Sequence, residues 1–238
     1  MRSADHEHSR RAASFGAQAA AYARGRPGYP RAALRFCLPE DPRRVLDLGA
    51  GTGKLTSGLL ELGLAVVAVE PSAEMRALIA PGADVRTGTA EAIPLQDAAV
   101  DAVLVGQAFH WFQCEAALAE IARVLRPGGT VGLLWNRLRG GAPWVEEVAQ
   151  AMRETSPSVE ADAPWQGRED LSDPQWRIFT HGHETDADGL LDNVRSRSAV
   201  ILEDPVQRER VLERVRALAP AGRFRLPLEC GVWGATRS

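Results

Sequence analysis

Through the first 136 residues, short apolar runs alternate with stretches whose apolar side chains recur every three or four positions. Runs of that length, rich in Val, Leu and Ala, predict buried strands at about 43–48, 65–70, 83–87, 100–106 and 130–135. The helical period predicts helices at about 53–62, 72–80 and 114–125. In the last of these, Leu118, Ile121, Val124 and Leu125 share one face, and Pro127-Gly128-Gly129 stops it. Strands and helices alternating in this way predict an α/β fold, a doubly wound and mostly parallel sheet with right-handed crossovers.

The pattern breaks after residue 136. Between 137 and 222 strand signals are sparse, with helices predicted at about 143–154 and 205–218 and a loop rich in Pro, Ser, Asp and Trp near 155–176. Asp204-Pro205 supplies an N-cap and first helical residue, with Val211, Leu212, Val215 and Leu218 turned inward. Phe179–Glu184 and Phe224–Ala235 are the candidates for the two final strands, forming an antiparallel edge pair. Four regions follow: a tail with two short helices over 1–36, a core over 37–136, a cap inserted over 137–222, and a closing strand over 223–238. Residues 1–13 are polar, and the two short helices hinge at Arg26-Pro27-Gly28-Tyr29-Pro30. An insertion after the fifth strand sits over the ligand end of such a sheet, where it caps an acceptor.

Chemistry enters at Val45-Leu46-Asp47-Leu48-Gly49-Ala50-Gly51-Thr52-Gly53. A strand running into glycines and then a helix is a ligand cradle, because glycine admits positive φ and close approach to the main chain. A phosphate-binding P-loop requires G-x-x-x-x-G-K-[ST]; here Leu48 and Leu55 occupy the first glycine and hydroxyl positions. A dinucleotide fingerprint requires a third glycine where Lys54 stands. The remaining G-x-G-x-G suits a nucleoside that carries an amino-acid tail. About twenty residues on, Val66-Val67-Ala68-Val69 ends in Glu70, placed to accept from both hydroxyls of a ribose. Pro71-Ser72 then opens the next helix, with Met75, Leu78 and Ile79 on its apolar face.

Four segments in order, Leu46–Gly53, Glu70-Pro71-Ser72-Ala73-Glu74-Met75, Gly88-Thr89-Ala90-Glu91-Ala92-Ile93-Pro94-Leu95 and Leu125-Arg126-Pro127-Gly128-Gly129-Thr130, resemble the motif series of class I S-adenosylmethionine-dependent methyltransferases. The resemblance spans roughly 14–136 and is to the small-molecule branch, with its trans-aconitate and quinone-biosynthesis enzymes. It implies a Rossmann-like, seven-stranded sheet with an antiparallel last strand, a helical amino-terminal lid, and S-adenosyl-L-methionine as cofactor. It also implies that Asp47, Gly49, Ala50, Gly51, Glu70, Pro71, Met75, Thr89, Ala90 and Glu91 surround that cofactor. Backbone groups of Gln107 and Ala108 hold its methionyl amine in this scheme, and Tyr22, Arg26 and Tyr29 belong to the lid. The third motif departs from the common Gly-Asp-Ala-Glu: Thr89 replaces the aspartate, leaving adenine to the hydroxyl, to the backbone of Ala90 and Glu91, and to Met75.

Composition narrows the setting. An apolar content of 45% with 25% charged residues describes an ordinary soluble globular domain. A net charge of −3 offers no general attraction to nucleic acid or anionic lipid. Only Lys54 among the 28 basic residues is lysine, a bias of the kind a GC-rich genome produces. Cys37, Cys114 and Cys230 are odd in number and widely spaced, and Met1–His8 lacks an apolar signal core. A cytoplasmic protein with reduced thiols and no membrane span is expected; monomer and homodimer both stay open.

Transfer of a methyl group needs a base only where the acceptor must lose a proton. His110 is the candidate, as a base or as a structural residue of its loop. Phe109, Trp111, Phe112 and Trp135, with Tyr29, are candidates to wall the acceptor, Phe112 equally to pack in the core, and aromatic faces favour a nearby sulfonium. Asn136 either orients an acceptor oxygen or caps a turn, and Arg26 either meets a carboxylate or lies on the surface. No metal is expected at His181-Gly182-His183. A DNA amino-methylating enzyme is disfavoured because Gln107-Ala108-Phe109-His110 stands where Asn/Asp-Pro-Pro-Tyr would. A protein or RNA methyltransferase and a non-catalytic cofactor-binding module remain as alternatives to methylation of O, N or acidic C on a metabolite.

Overall fold

The computed structural model describes residues 25–152, 163–197, 200 and 204–238. Seven strands form one sheet: β1 (Arg44–Leu48), β2 (Ala65–Val69), β3 (Asp84–Arg86), β4 (Val100–Gly106), β5 (Leu125–Leu138), β6 (Gln175–Thr185) and β7 (Phe224–Thr236). Their spatial order is β3-β2-β1-β4-β5-β7-β6. The first five run parallel, whereas β7 is antiparallel to both β5 and β6, and β6 takes the edge. Four of the five residues in β1 and in β2 are buried, as strands covered on both faces require. Short, exposed β3 closes the other edge.

Helices cover both faces. α1 (Arg31–Phe36) and α2 (Lys54–Leu60) lie on one, where Leu34, Leu55 and Leu59 pack with Val45, Leu104 and Val232. On the other, α4 (Cys114–Val124) packs Leu118 and Ile121 against Val103 and Leu133, joined by Trp165 and Leu171 of the following loop. α3 (Ala73–Arg76) lies between β2 and β3. A third cluster gathers α5 (Pro143–Ala151), α6 (Ala187–Arg195) and α7 (Pro205–Leu218) around Leu138, Leu226 and Leu228 at the tips of β5 and β7. The stretch from 137 to 222 therefore contributes β6 to the sheet as well as these helices.

Three differences from the sequence pattern have local causes. The helix expected at 72–80 is a single turn, α3, opened by Ser72 Oγ accepting from Met75 N (3.2 Å) and followed by turns ahead of Pro81-Gly82. α6 was absent from the sequence reading, since its acidic and amide residues mask the apolar face of Leu190, Leu191 and Val194. β5 begins at Leu125, with Arg126–Gly128 exposed and a register irregularity between Val100 and Ala102 absorbing the Pro127 segment. Sheet order reverses between β1 and β4, so the carboxyl ends of those two strands open a crevice.

Candidate cofactor and acceptor site

A cleft of about 360 Å³ opens at that crevice, and the glycine turn after β1 forms its floor. Gly49, Gly51 and Gly53 have φ of 72°, 55° and 83°, in the region side chains avoid. Val69 O accepts from Gly49 N (2.9 Å) and Ala50 N (3.0 Å), pinning the turn to β2. A Cβ on Gly49 would lie 2.8 Å from the Cβ of Ala108, so the turn touches the segment that leaves β4.

Glu70 leaves β2 into the cleft. Its Oε2 accepts from Gly51 N and its Oε1 from Ser72 N, both at 2.9 Å. Arg76 Nη1 donates to the carbonyls of Glu70 and Pro71 at 2.7 Å. Burial raises the Glu70 pKa, while the two backbone N–H groups and Arg76 oppose that shift. Each carboxylate oxygen keeps a lone pair, enough for the two hydroxyls of a ribose. Met75 and Val69 supply an apolar wall, and Gly88, Thr89, Ala90 and Glu91 close the far end. Glu91 Oε1 accepts from Gln113 N (2.8 Å), tying that end to the loop before α4. A buried acid, an apolar slot and a close-packed glycine turn match the ribose, base and tail of a nucleoside amino acid, so the residues present fit S-adenosylmethionine.

Residues 46–133 match the methyltransferase domain family. An uncharacterized methyltransferase of Mycobacterium tuberculosis is 45% identical over 213 residues, covering 86% of this chain and 85% of the relative. The chain belongs to the class I S-adenosylmethionine-dependent methyltransferases. An uncharacterized methyltransferase of Schizosaccharomyces pombe is 40% identical over 147 residues, 58% of this chain and 59% of its own. A solved structure from Anaeromyxobacter dehalogenans, described as a type II methyltransferase, shares the fold with a TM-score of 0.65 at 24% identity, covering 89% and 97% of the two chains.

In this methyltransferase Gly49, Gly51, Glu70, Pro71, Met75, Thr89, Ala90, Glu91, Gln107, Ala108 and Trp111 all line the cleft. Phe112, a candidate wall or core residue in the sequence, lines it too, as do Leu48, Gly106 and Gln113, which no sequence signal marks. Asp47 and Ala50 are buried beneath the turn and do not face the cleft. Tyr22 lies outside the described residues.

Asp47 is instead a support. Its Oδ2 accepts from Thr56 Oγ1 at 2.6 Å, and its Oδ1 has no hydrogen-bond partner among the described residues. Burial raises its pKa to about 7; hydrogen bonds from Thr56 offset part of this and the Glu70 charge adds to it. Because the folded pKa lies above the unfolded value, Asp47 favours folding below about pH 4 and loses that contribution as pH rises toward 7. The contribution is on the order of 4 kcal/mol. Asp47→Asn should flatten stability between about pH 4 and pH 7, read by urea unfolding at several pH values. A slope matching the wild type would show that Asp47 does not titrate there.

On the acceptor side, His110 occupies a short 3-10 helix (Phe109–Trp111), its ring centroid 4.9 Å from that of Trp111. His110 is exposed at the surface, yet neighbouring protein desolvates the imidazolium and the Arg26 charge repels it, lowering the pKa to about 4. Phe109 is core: it packs edge-on to Phe112 at 5.7 Å and is 8% exposed. Trp135 packs on the same cluster and is not part of the cleft lining. Tyr29 fills the space over Gly106, where a Cβ would lie 2.5 Å from its hydroxyl.

Arg26 is buried. Its Nη1 donates to Gln107 Oε1 (2.8 Å), its Nε to Ser196 Oγ (2.9 Å) and its Nη2 to Ser196 O (3.0 Å). Asn136 Nδ2 donates to Gly28 O and Asn193 Nδ2 to Gly25 O, both at 2.9 Å. The Arg26–Pro30 turn is thus clamped across the sheet end from three elements. Ser196 and Asn193 carry no sequence signal for this role, since they lie about 170 residues from their partners.

Proposed function

We propose that the protein transfers the methyl group of S-adenosylmethionine to O, N or an acidic carbon of a small-molecule acceptor. The convergence of Glu70, the glycine turn and Gln107-Ala108 on one cleft carries this reading. Enclosure of its acceptor side by the clamped Arg26–Pro30 turn favours a metabolite over a polymer. Two further relatives point the same way at the level of reaction, and differ in acceptor. A malonyl-[acyl-carrier protein] O-methyltransferase of Methylococcus capsulatus is 45% identical over 108 residues, and a ubiquinone/menaquinone C-methyltransferase of Rubrivivax gelatinosus 36% over 106. Each match covers less than half of this chain, so the acceptor is not carried over. A net charge of −3 supports no nucleic-acid partner. No helix among the described residues is long and apolar enough to cross a membrane, and free Cys37, Cys114 and Cys230 fit a cytoplasmic protein. Among those residues no group of three or more His, Cys, Asp or Glu side chains could hold a metal.

The cofactor supplies an activated methyl group together with its own leaving group. Glu70 and the glycine turn orient the nucleoside, Gln107 and Ala108 set the depth of the tail, and the Tyr29 turn excludes water over Gly106. His110 is neutral at physiological pH and accepts a proton only from an acceptor whose hydrogen is itself acidified during transfer.

A screen of hydroxyl, amine and activated-methylene metabolites with radiolabelled S-adenosylmethionine tests the proposal. Calorimetry with S-adenosylhomocysteine and NADH runs beside it; tight NADH binding without S-adenosylhomocysteine binding would sink the reading. With an acceptor in hand, His110→Ala should lower turnover about a hundredfold while leaving cofactor binding intact. Unchanged turnover would remove the base role and leave His110 as a loop residue.

A further inference from the structure

We propose that His181, outside the cleft, is a positioning residue that holds the Asn136 amide against Gly28 and, through the Arg26–Pro30 turn, fixes Gln107 at the edge of the cleft. The proposal rests on the methyltransferase reading of the cleft that Gln107 lines. It begins from a run of hydrogen bonds whose directions determine one another. Asn136 is 3% exposed, and its Nδ2 donates to Gly28 O at 2.9 Å, so its Oδ1 faces the other way. That Oδ1 lies 2.9 Å from His181 Nε2. An amide oxygen can only accept, so His181 Nε2 carries the proton. The backbone carbonyl of Asn136 in turn accepts from Gln107 Nε2 (3.3 Å), and Gln107 Oε1 accepts from Arg26 Nη1.

Gln107 needs this support. It leaves β4 with φ of 54°, a left-handed conformation that a side chain tolerates only where its surroundings hold it. Its backbone N–H donates to Leu134 O at 2.9 Å, and both ends of its amide are engaged. Loss of the His181 proton donor lets the Asn136 side chain turn away from Gly28 O, loosening the turn whose Arg26 holds Gln107 Oε1, while the Asn136 backbone stays paired with Cys230 in β7. Asn136 therefore spends one Nδ2 hydrogen on Gly28 and one Oδ1 lone pair on His181, as a clamp between the turn and β6. His181 is neutral at working pH, because burial, His183 and Arg225 lower its pKa to about 4.

The test uses the full chain with S-adenosylhomocysteine as the calorimetric probe and thermal melting as the fold control. His181→Ala should weaken binding roughly fivefold. His181→Gln, which keeps a donor at the Nε2 position, should return binding to within about twofold of the wild type. Adding His181→Ala to Asn136→Ala should cost nothing more, since both act through one contact. Independent effects of the two substitutions, or failure of Gln to rescue in a protein that melts normally, overturn the proposal. Long-range 1H–15N spectra at neutral pH read the tautomer with no ligand present: Nε2 protonated is expected, and an Nδ1-protonated ring overturns it. A wild type that binds no S-adenosylhomocysteine defeats the proposed function; the spectra and the melting cycle then still decide the role of His181.

Discussion

Glu70→Gln should weaken S-adenosylhomocysteine binding by about two orders of magnitude. Both oxygens of Glu70 already accept backbone N–H groups, from Gly51 and from Ser72. A glutamine has one acceptor oxygen, so its NH2 must face one of those donors, and the turn or the start of α3 is pushed away. The variant also turns a charge-assisted ribose contact, worth about 1.5–3 kcal/mol, into a neutral or lost one. Together these come to about 3 kcal/mol, or roughly a hundredfold in affinity. Glu74→Gln is the matched control: Glu74 is exposed and accepts from Ser72 Oγ (2.7 Å), away from the cleft lining. Calorimetry distinguishes the two, and unchanged affinity of Glu70→Gln would remove Glu70 from ribose recognition.

Gly49→Ala should be among the most damaging single changes to this fold. A side chain at φ of 72° costs about 1–2 kcal/mol by itself. The new methyl would also sit 2.8 Å from the Ala108 Cβ and 3.2 Å from the Phe112 ring, an overlap costing about 1–3 kcal/mol. The sum, about 3 kcal/mol, corresponds to a melting temperature lower by roughly 6–12 °C for a chain of this size. Gly128→Ala separates the two causes, because φ there is 77° while nothing lies within 4 Å of its Cβ position. Gly128→Ala should therefore lose only the backbone part. Equal losses in both variants would show that contact with Ala108 contributes nothing.

Much of the cofactor half was legible because its information is local. Gly49, Gly51 and Glu70 lie within about twenty residues of one another, and both sheet position and turn chemistry follow from neighbours in the chain. Thr89, Ala90 and Glu91 line the same cleft from β3's end. Phe109 and Trp135 show where local reading fails: an aromatic beside a cleft has the same sequence appearance as an aromatic in the core beneath it. Burial and ring packing place both with the core. Asp47 fails in another way, since a carboxylate at the end of β1 faces either the ligand or the helix behind it. Thr56, nine positions on, draws it behind.

The sequence by itself determined the α/β alternation and the glycine turn, both set by periodicity and spacing within short windows, and its four motifs carried the resemblance to the methyltransferase family. Only the tertiary structure decided how the segment leaving β4 is held beside the cleft. Arg26, Gln107, Asn136, His181 and Ser196 come from five separate segments up to 170 positions apart. Their hydrogen bonds exist only once β5, β7 and β6 have paired and α6 has packed behind them. Donors and acceptors that far apart leave no periodic trace in the chain, because nothing but the folded backbone brings them within 3 Å or so of one another.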